Sequence, residues 1–168
     1  MITLKALAAL PVAAALAVLA TPVAFADTTS VSSFDFTAEP GSLAITGSGH
    51  WAAPAQDVEI WENNNVVKVD ATPDNGFHYI RVELTGPNGE PLHVGTYSNV
   101  GDPTRHPDQP GILAISQGLG CHADAGTITV DRVERDGAGA LTAFDGSFDH
   151  HCAGPTSPTF HGEIHFQR

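Results

Sequence analysis

The sequence predicts an all-β fold, an antiparallel β-sandwich of roughly 8 to 10 strands with immunoglobulin-like or jelly-roll-like architecture, preceded by a signal peptide. Short β-rich runs recur every ~8 to 14 residues along the chain, which is the spacing found in sandwiches and barrels. Turn-forming pairs such as Pro40-Gly41 and Asp136-Gly137 separate these runs. No window sustains a helical apolar stripe over ~11 residues.

The predicted strands follow one another with a breaker between each pair. In chain order they are 31–37, 42–51, 57–62, 66–71, 77–85, 92–97, 112–117, 126–135, 140–151 and 159–166. The first alternates polar residues with phenylalanine, the third and fourth flank an Asn-Asn-Asn turn, and the fifth alternates aliphatic with charged residues. A Pro-Asn-Gly turn precedes the sixth, a Pro- and Asp-rich loop precedes the seventh, and the last three alternate most regularly. This pattern predicts one domain with strands from end to end.

Residues 1–26 have the composition of a secretory signal peptide. A single Lys5 precedes an apolar run, and the segment ends in Ala-Phe-Ala, the small-x-small pattern that precedes cleavage. A membrane anchor is the competing interpretation, but Pro11 and Pro22 interrupt the run and no basic cluster follows it. We therefore expect cleavage before Asp27 and a secreted protein.

The remaining chain, 27–168, is predicted to be a single β-sandwich domain with a strong acidic charge. The sequence has 19 acidic residues against 7 Lys and Arg, a net charge of −12. This field repels phosphate and anionic lipid, so we expect no nucleic-acid partner and no membrane contact after cleavage. The charge serves solubility in one interpretation and cation binding in another. No catalytic motif in the sequence has the required spacing and context; Ser48, for example, lies in Thr-Gly-Ser-Gly-His, which lacks the spacing of a nucleophile elbow. We therefore predict that the protein is not an enzyme.

The two cysteines, Cys121 and Cys152, are the only ones in the chain. In an exported protein such a pair usually forms a disulfide. The competing interpretation is a pair of zinc thiolates, but these usually occur in C-x₂₋₄-C pairs, which the sequence lacks. The pattern therefore favours the disulfide.

Several short motifs follow one another in a fixed order. They are Pro40-Gly41, Pro87-Asn88-Gly89 with Leu92, Gly95 and Tyr97, Gly120-Cys121, the strand 126–130, the Phe-Asp-His-His-Cys segment 148–152 and the closing strand 160–166. In this order they resemble a family of small secreted bacterial β-sandwich proteins of unknown function, common in actinobacteria. The resemblance implies a sandwich with bonded cysteines and implies no activity. His150 departs from the family pattern, and His161 and His165 are not features of it.

The segment 148–166 concentrates four of the nine histidines. If the last two strands are antiparallel with Cys152 opposite Phe160, the apolar residues, Cys152 and His150 face the core. The other face then carries His151 opposite His161, Asp149 opposite Glu163, and Ser147 opposite His165. Directly opposed side chains are close enough for two imidazoles to share one zinc or copper ion.

The five outward residues His151, His161, Asp149, Glu163 and His165 are therefore the predicted metal ligands. The competing interpretation is that they are ordinary solvated residues and that His151 makes a structural hydrogen bond.

Two tryptophans offer a second kind of site. Trp51 and Trp61, if exposed, would stack on a sugar or fill a partner's pocket, whereas a sandwich tryptophan is more often part of the core. From the sequence we predict a secreted, monomeric, non-catalytic binding module for an unknown glycan or protein, with no cofactor. The alternative is an extracellular protein that binds zinc or copper on the histidine patch.

Overall fold

The protein is described by a computed structural model that covers residues 30–74, 76, 78–121 and 124–168. The predicted signal peptide lies outside these residues. The strands are β1 (Val31–Ala38), β2 (Gly47–Ala52), β3 (Asp57–Asn63), β4 (Val66–Thr72), β5 (Ile80–Thr85), β6 (Gly95–Gly101), β7 (Gly111–Ser116), β8 (Ala125–Arg135), β9 (Leu141–His151) and β10 (Thr159–Gln167). The all-β prediction is confirmed, and within the described ranges no helix has the length and apolarity to cross a membrane.

The ten strands form one continuous sheet in the order β2-β1-β10-β9-β8-β6-β7-β5-β4-β3. Neighbouring strands are antiparallel, apart from a short parallel contact between β6 and β7 at Gly101 and Gly111. The edge strand β3 lies close to β1 and β2 at the opposite edge. The two layers of the predicted sandwich are therefore halves of one sheet that curls into a nearly closed barrel.

Alternate residues of these strands face a single apolar core. Phe34, Phe144, Phe148 and Phe160 are its largest fully buried side chains. The ring centroids of Phe148 and Phe160 are 5.3 Å apart in an edge-to-face arrangement, and the rings of Phe34 and Phe148 stack at 6.3 Å. Burial of these rings supplies much of the hydrophobic stabilisation of β1, β9 and β10.

A partly buried ion pair links strands that are not neighbours in the sheet. Arg135, at the end of β8, donates hydrogen bonds from Nε and Nη2 to the two carboxylate oxygens of Glu62 in β3, each at 2.6 Å. Arg135 Nη2 also donates to the carbonyl oxygen of Leu92 at 3.3 Å. Both hydrogen bonds to Glu62 are charge-assisted, so this pair fixes one end of the barrel.

β2 begins later than predicted, at Gly47 instead of residue 42. Ala44 has φ of 69° and Gly47 has φ of 79°, and these left-handed conformations interrupt an extended strand. The strand predicted at 92–97 is displaced towards the C-terminus: β6 runs from Gly95 to Gly101.

The last two strands are antiparallel neighbours, as predicted, but the predicted register is wrong by two residues. Phe160 lies opposite His150, and Gly162 lies opposite Phe148. A shift of two preserves the side of the sheet that each residue faces, so Phe148, Phe160, Ile164 and the other expected core residues are indeed buried. His150 is also buried, as expected from its position on the inward face.

The connection between these strands sets the register. Ser157 donates from its backbone N–H and from its hydroxyl to the carbonyl oxygen of Gly154, at 3.0 and 2.9 Å. The resulting turn returns the chain so that Thr159 lies opposite His151. In consequence His161 lies opposite Asp149, and His165 lies opposite Asp145.

The predicted disulfide is confirmed. Cys121 and Cys152, 31 residues apart in sequence, are bonded to each other. The bond ties the segment that precedes β8 to the residue that follows β9.

Candidate functional site: the histidine–carboxylate face

The outer surface of β2, β1, β10 and β9 carries imidazoles interspersed with carboxylates. We call it the histidine–carboxylate face, and it consists of His50, His161, His165, Asp35, Asp145, Asp149 and Glu163. These residues share one side of the sheet because opposed residues on paired strands, and alternate residues along a strand, point the same way. Four of the five predicted metal ligands lie on this face, and two of them, Asp149 and Glu163, contact His161.

His161 lies between two carboxylates. Its Nδ1 is 2.8 Å from Oδ1 of Asp149, and its Nε2 is 3.5 Å from Oε1 of Glu163. Partial burial of the ring opposes its charge, but the hydrogen bonds to Asp149 and Glu163 outweigh burial and raise the pKa of His161 above 6.5. His161 therefore keeps its positive charge to a higher pH than a free imidazole does.

The other two histidines of the face make the same kind of contact. His50 Nδ1 is 2.6 Å from Oδ1 of Asp35, and His165 Nδ1 contacts Oδ1 of Asp145. An ionised carboxylate only accepts hydrogen bonds, so the nitrogen that faces it must carry the proton. In each neutral ring, therefore, Nδ1 donates and Nε2 keeps its lone pair. A histidine oriented by a carboxylate in this way is the usual form of a metal ligand.

Two adjoining clefts open on this face. One, of about 300 Å³, is lined by His161, Glu163 and Asp35 together with uncharged residues of β1 and β2. The other, of about 370 Å³, is lined by Asp35, Glu163, Asp145 and His165 among others. Asp35 and Glu163 border both clefts and lie directly opposite each other on β1 and β10. Like charges in that position repel, so a cation between them would be stabilised.

His151 does not join the predicted arrangement. It lies opposite Thr159, is partly buried, and its Nδ1 is 2.7 Å from the carbonyl oxygen of Ser157. The predicted pairing of His151 with His161 is wrong, because the observed register places Asp149 opposite His161. The expected pairings of Asp149 with Glu163 and of Ser147 with His165 are wrong for the same reason.

Both tryptophans are partly buried. The Trp51 ring packs edge-on against Phe36, with centroids 4.8 Å apart, at the margin of the core. Trp61 lies on the edge strand β3, opposite Lys68. A role for either ring in ligand binding stays a prediction.

A second polar cluster, which the sequence reasoning missed, lies on the inner side of β9. Oδ1 of Asp124 is 2.5 Å from Nε2 of His150, and both side chains are almost completely buried. Residues close to the two cysteines could have revealed it: Asp124 follows Cys121 by three positions, and His150 precedes Cys152 by two. A disulfide between the cysteines brings such neighbours together.

No protein-family model, curated protein or solved structure matches this chain. The resemblance to small secreted β-sandwich proteins therefore stays a prediction. The side chains described above are therefore the basis for proposing a function.

Proposed function

We propose that this protein is a secreted, non-catalytic binding module that holds a divalent cation of the zinc or copper type on the histidine–carboxylate face. The observation that carries the proposal is the position of His161. Asp149 holds the ring at Nδ1, and the opposite nitrogen, Nε2, lies 3.5 Å from Oε1 of Glu163 beside an open cleft. One imidazole nitrogen and one carboxylate oxygen at that separation form a bidentate set that suits zinc or copper.

Asp35 supports the same assignment from the neighbouring strand. It lies opposite Glu163 and lines the same cleft, so its carboxylate is a further donor for a cation at that position. Water would complete the coordination, as is common for sites on an open surface. The net charge of −12 also favours approach by a cation and disfavours an anionic ligand.

The first prediction concerns zinc affinity. Changing His161→Ala or Glu163→Gln is expected to weaken zinc binding at least about tenfold, because each change removes one of the two closest donors. Asp149→Asn should weaken binding by about tenfold through loss of ring orientation and basicity. Calorimetric titration of residues 27–168 would measure these affinities, with His93→Ala as the matched control because that exposed histidine lies outside the face. Equal zinc affinity in the wild-type and His161→Ala proteins would contradict the proposal.

The second prediction concerns pH. Because the pKa of His161 is raised above 6.5, its ring becomes protonated at a higher pH than a free imidazole does. Zinc affinity is then expected to fall as pH drops through that raised pKa, by about tenfold for each further pH unit, since a proton and the metal compete for Nε2. A zinc titration series from pH 8 to pH 5.5, on the order of the histidine range, measures this profile.

The Asp149→Asn variant provides the control for the pH prediction. Without the carboxylate, the pKa of His161 falls and the loss of zinc binding moves to lower pH. In the metal-free protein the sign is opposite: the charged pair stabilises the fold fully below the unfolded-state pKa, and that contribution is lost as pH rises through the raised folded-state pKa. An affinity that does not change across this range would contradict the assignment of Nε2 as a ligand.

A further inference from the structure

A second set of donor atoms converges where the disulfide meets the end of β9. Sγ of Cys121, a carboxylate oxygen of Asp124 and a ring nitrogen of His150 all lie within 4.8 Å of one another. Sγ of Cys152 is bonded to Sγ of Cys121 and is not one of these three mutually close atoms. One sulfur, one nitrogen and one oxygen thus converge at the margin of the core, with the second sulfur one bond away.

The carboxylate of Asp124 is only partly satisfied. Oδ1 contacts Nε2 of His150 at 2.5 Å, whereas Oδ2 is buried and has no hydrogen-bond partner among the residues that the structure describes. The Asp124 side chain is 0% exposed. A buried carboxylate oxygen without a partner is costly, so Oδ2 is a candidate donor to a cation.

We propose that this cluster is a redox-gated metal site, which takes a zinc-class cation when the Cys121–Cys152 disulfide is reduced. Two cysteine thiolates, the His150 imidazole and the Asp124 carboxylate give four donors, the number and type that tetrahedral zinc requires. While the disulfide is intact, its sulfurs are not thiolates and do not ligate zinc. Oxidation therefore closes the site and reduction opens it.

The redox step is a thiol–disulfide exchange with an external dithiol. The dithiol supplies two electrons and two protons, the bond between the two cysteine sulfurs breaks, each becomes a thiol, and the dithiol becomes a cyclic disulfide. The cation then displaces the two thiol protons and binds the thiolates. Reoxidation by an external disulfide reverses the exchange and releases the cation.

A cleft adjoins the site on the described surface, although the Asp124 side chain itself is 0% exposed. This cleft, of about 290 Å³, is lined by Asp124 together with Asp102, Arg105, His106 and residues of the turn after β9. The site is separate from the histidine–carboxylate face, because His150 points inward and its neighbour Asp149 points outward. This second site goes beyond the proposed function, and the failure of either proposal would leave the other intact.

Cobalt is the probe of choice, because thiolate ligation produces a ligand-to-metal charge-transfer absorption that nitrogen and oxygen ligands do not. The domain 27–168 is reduced with dithiothreitol, freed of reductant under nitrogen and titrated with Co²⁺. We expect charge-transfer absorption that saturates at one equivalent in the reduced protein. It should be absent from the oxidised protein and from the Cys121→Ser/Cys152→Ser double variant.

Substitutions test which side chains hold the cobalt. Asp124→Asn and the milder change His150→Gln are expected to weaken cobalt binding by the reduced protein at least about tenfold. His93→Ala, which changes an exposed histidine outside both sites, should leave the charge-transfer band and its midpoint unchanged. Equal cobalt affinity in the wild-type and Asp124→Asn proteins would overturn the proposal.

A second readout uses only the wild-type chain, in case a core variant fails to fold. Stoichiometric zinc should protect both reduced cysteines from alkylation by iodoacetamide at least about tenfold, as measured by mass spectrometry. Circular dichroism monitors folding in the same samples. Alkylation at the same rate with and without zinc would overturn the proposal, and so would a reduced chain that stays unfolded in both conditions.

Discussion

Replacing Cys121 and Cys152 together with serine is expected to lower the free energy of unfolding by about 3.5 to 4 kcal/mol. The bond closes a loop of 31 residues, and opening that loop restores conformational entropy to the unfolded chain. The loss should be large because Cys152 is buried beside His150, so the bond also holds the inner side of β9 in place. Urea unfolding at pH 7 measures the change as a lower midpoint.

The reduced wild-type protein is the matched control for this double variant. It should lose a similar amount of stability in the absence of metal, and zinc should restore more of that stability in the reduced wild-type protein than in the double serine variant. A double serine variant that unfolds within about 1 kcal/mol of the wild type would show that the disulfide contributes little to the fold.

The second large effect is expected for Gly162→Ala, at about 3 kcal/mol of destabilisation. Gly162 lies opposite Phe148, and an added methyl group would overlap that ring, with Cε1 at 2.5 Å and Cε2 of Phe34 at 3.0 Å. Both rings are fully buried and cannot move aside without displacing the rest of the aromatic core.

A double-mutant cycle makes this prediction specific to the register. Phe148→Ala alone should cost about 3 to 5 kcal/mol, but adding Gly162→Ala to it should cost little, because the methyl group then fills space vacated by the ring. Gly137→Ala is the matched control, since nothing lies within 4 Å of its added methyl group. Strictly additive effects of the two core changes would contradict the observed pairing of Gly162 with Phe148.

The approximate positions of most strands could be predicted from the sequence, because alternation and turn residues are local signals. The register between β9 and β10 could not be predicted from the sequence. A register shift of two residues leaves the same residues facing the core. Phe148 and Ile164 are therefore buried in either register, and the apolar pattern does not distinguish the two registers. The turn made by Ser157 and Gly154 decides the register, and its geometry is not visible in residue type alone.

The same limit explains which parts of the site could be foreseen. The outward direction of His161, Asp149 and Glu163 follows from strand parity, but the contact between His161 and Asp149 depends on the register. His50 and Asp35 join the face only because β1 pairs with both β2 and β10, which the local pattern does not show. Asp124 reaches His150 through the pairing of β8 with β9, which places Ala125 opposite His151, and through the disulfide that joins distant parts of the chain.

Long-range ¹H–¹⁵N NMR of the histidine side chains, recorded during a zinc titration at pH 8, tests the cation site most directly. In the metal-free protein, the His161 ring should carry its proton on Nδ1, where Asp149 accepts it. Zinc should then shift the Nε2 resonance of His161 before that of any other imidazole. A neutral His161 ring with its proton on Nε2, or a His161 resonance that zinc leaves in place, would contradict the cation site.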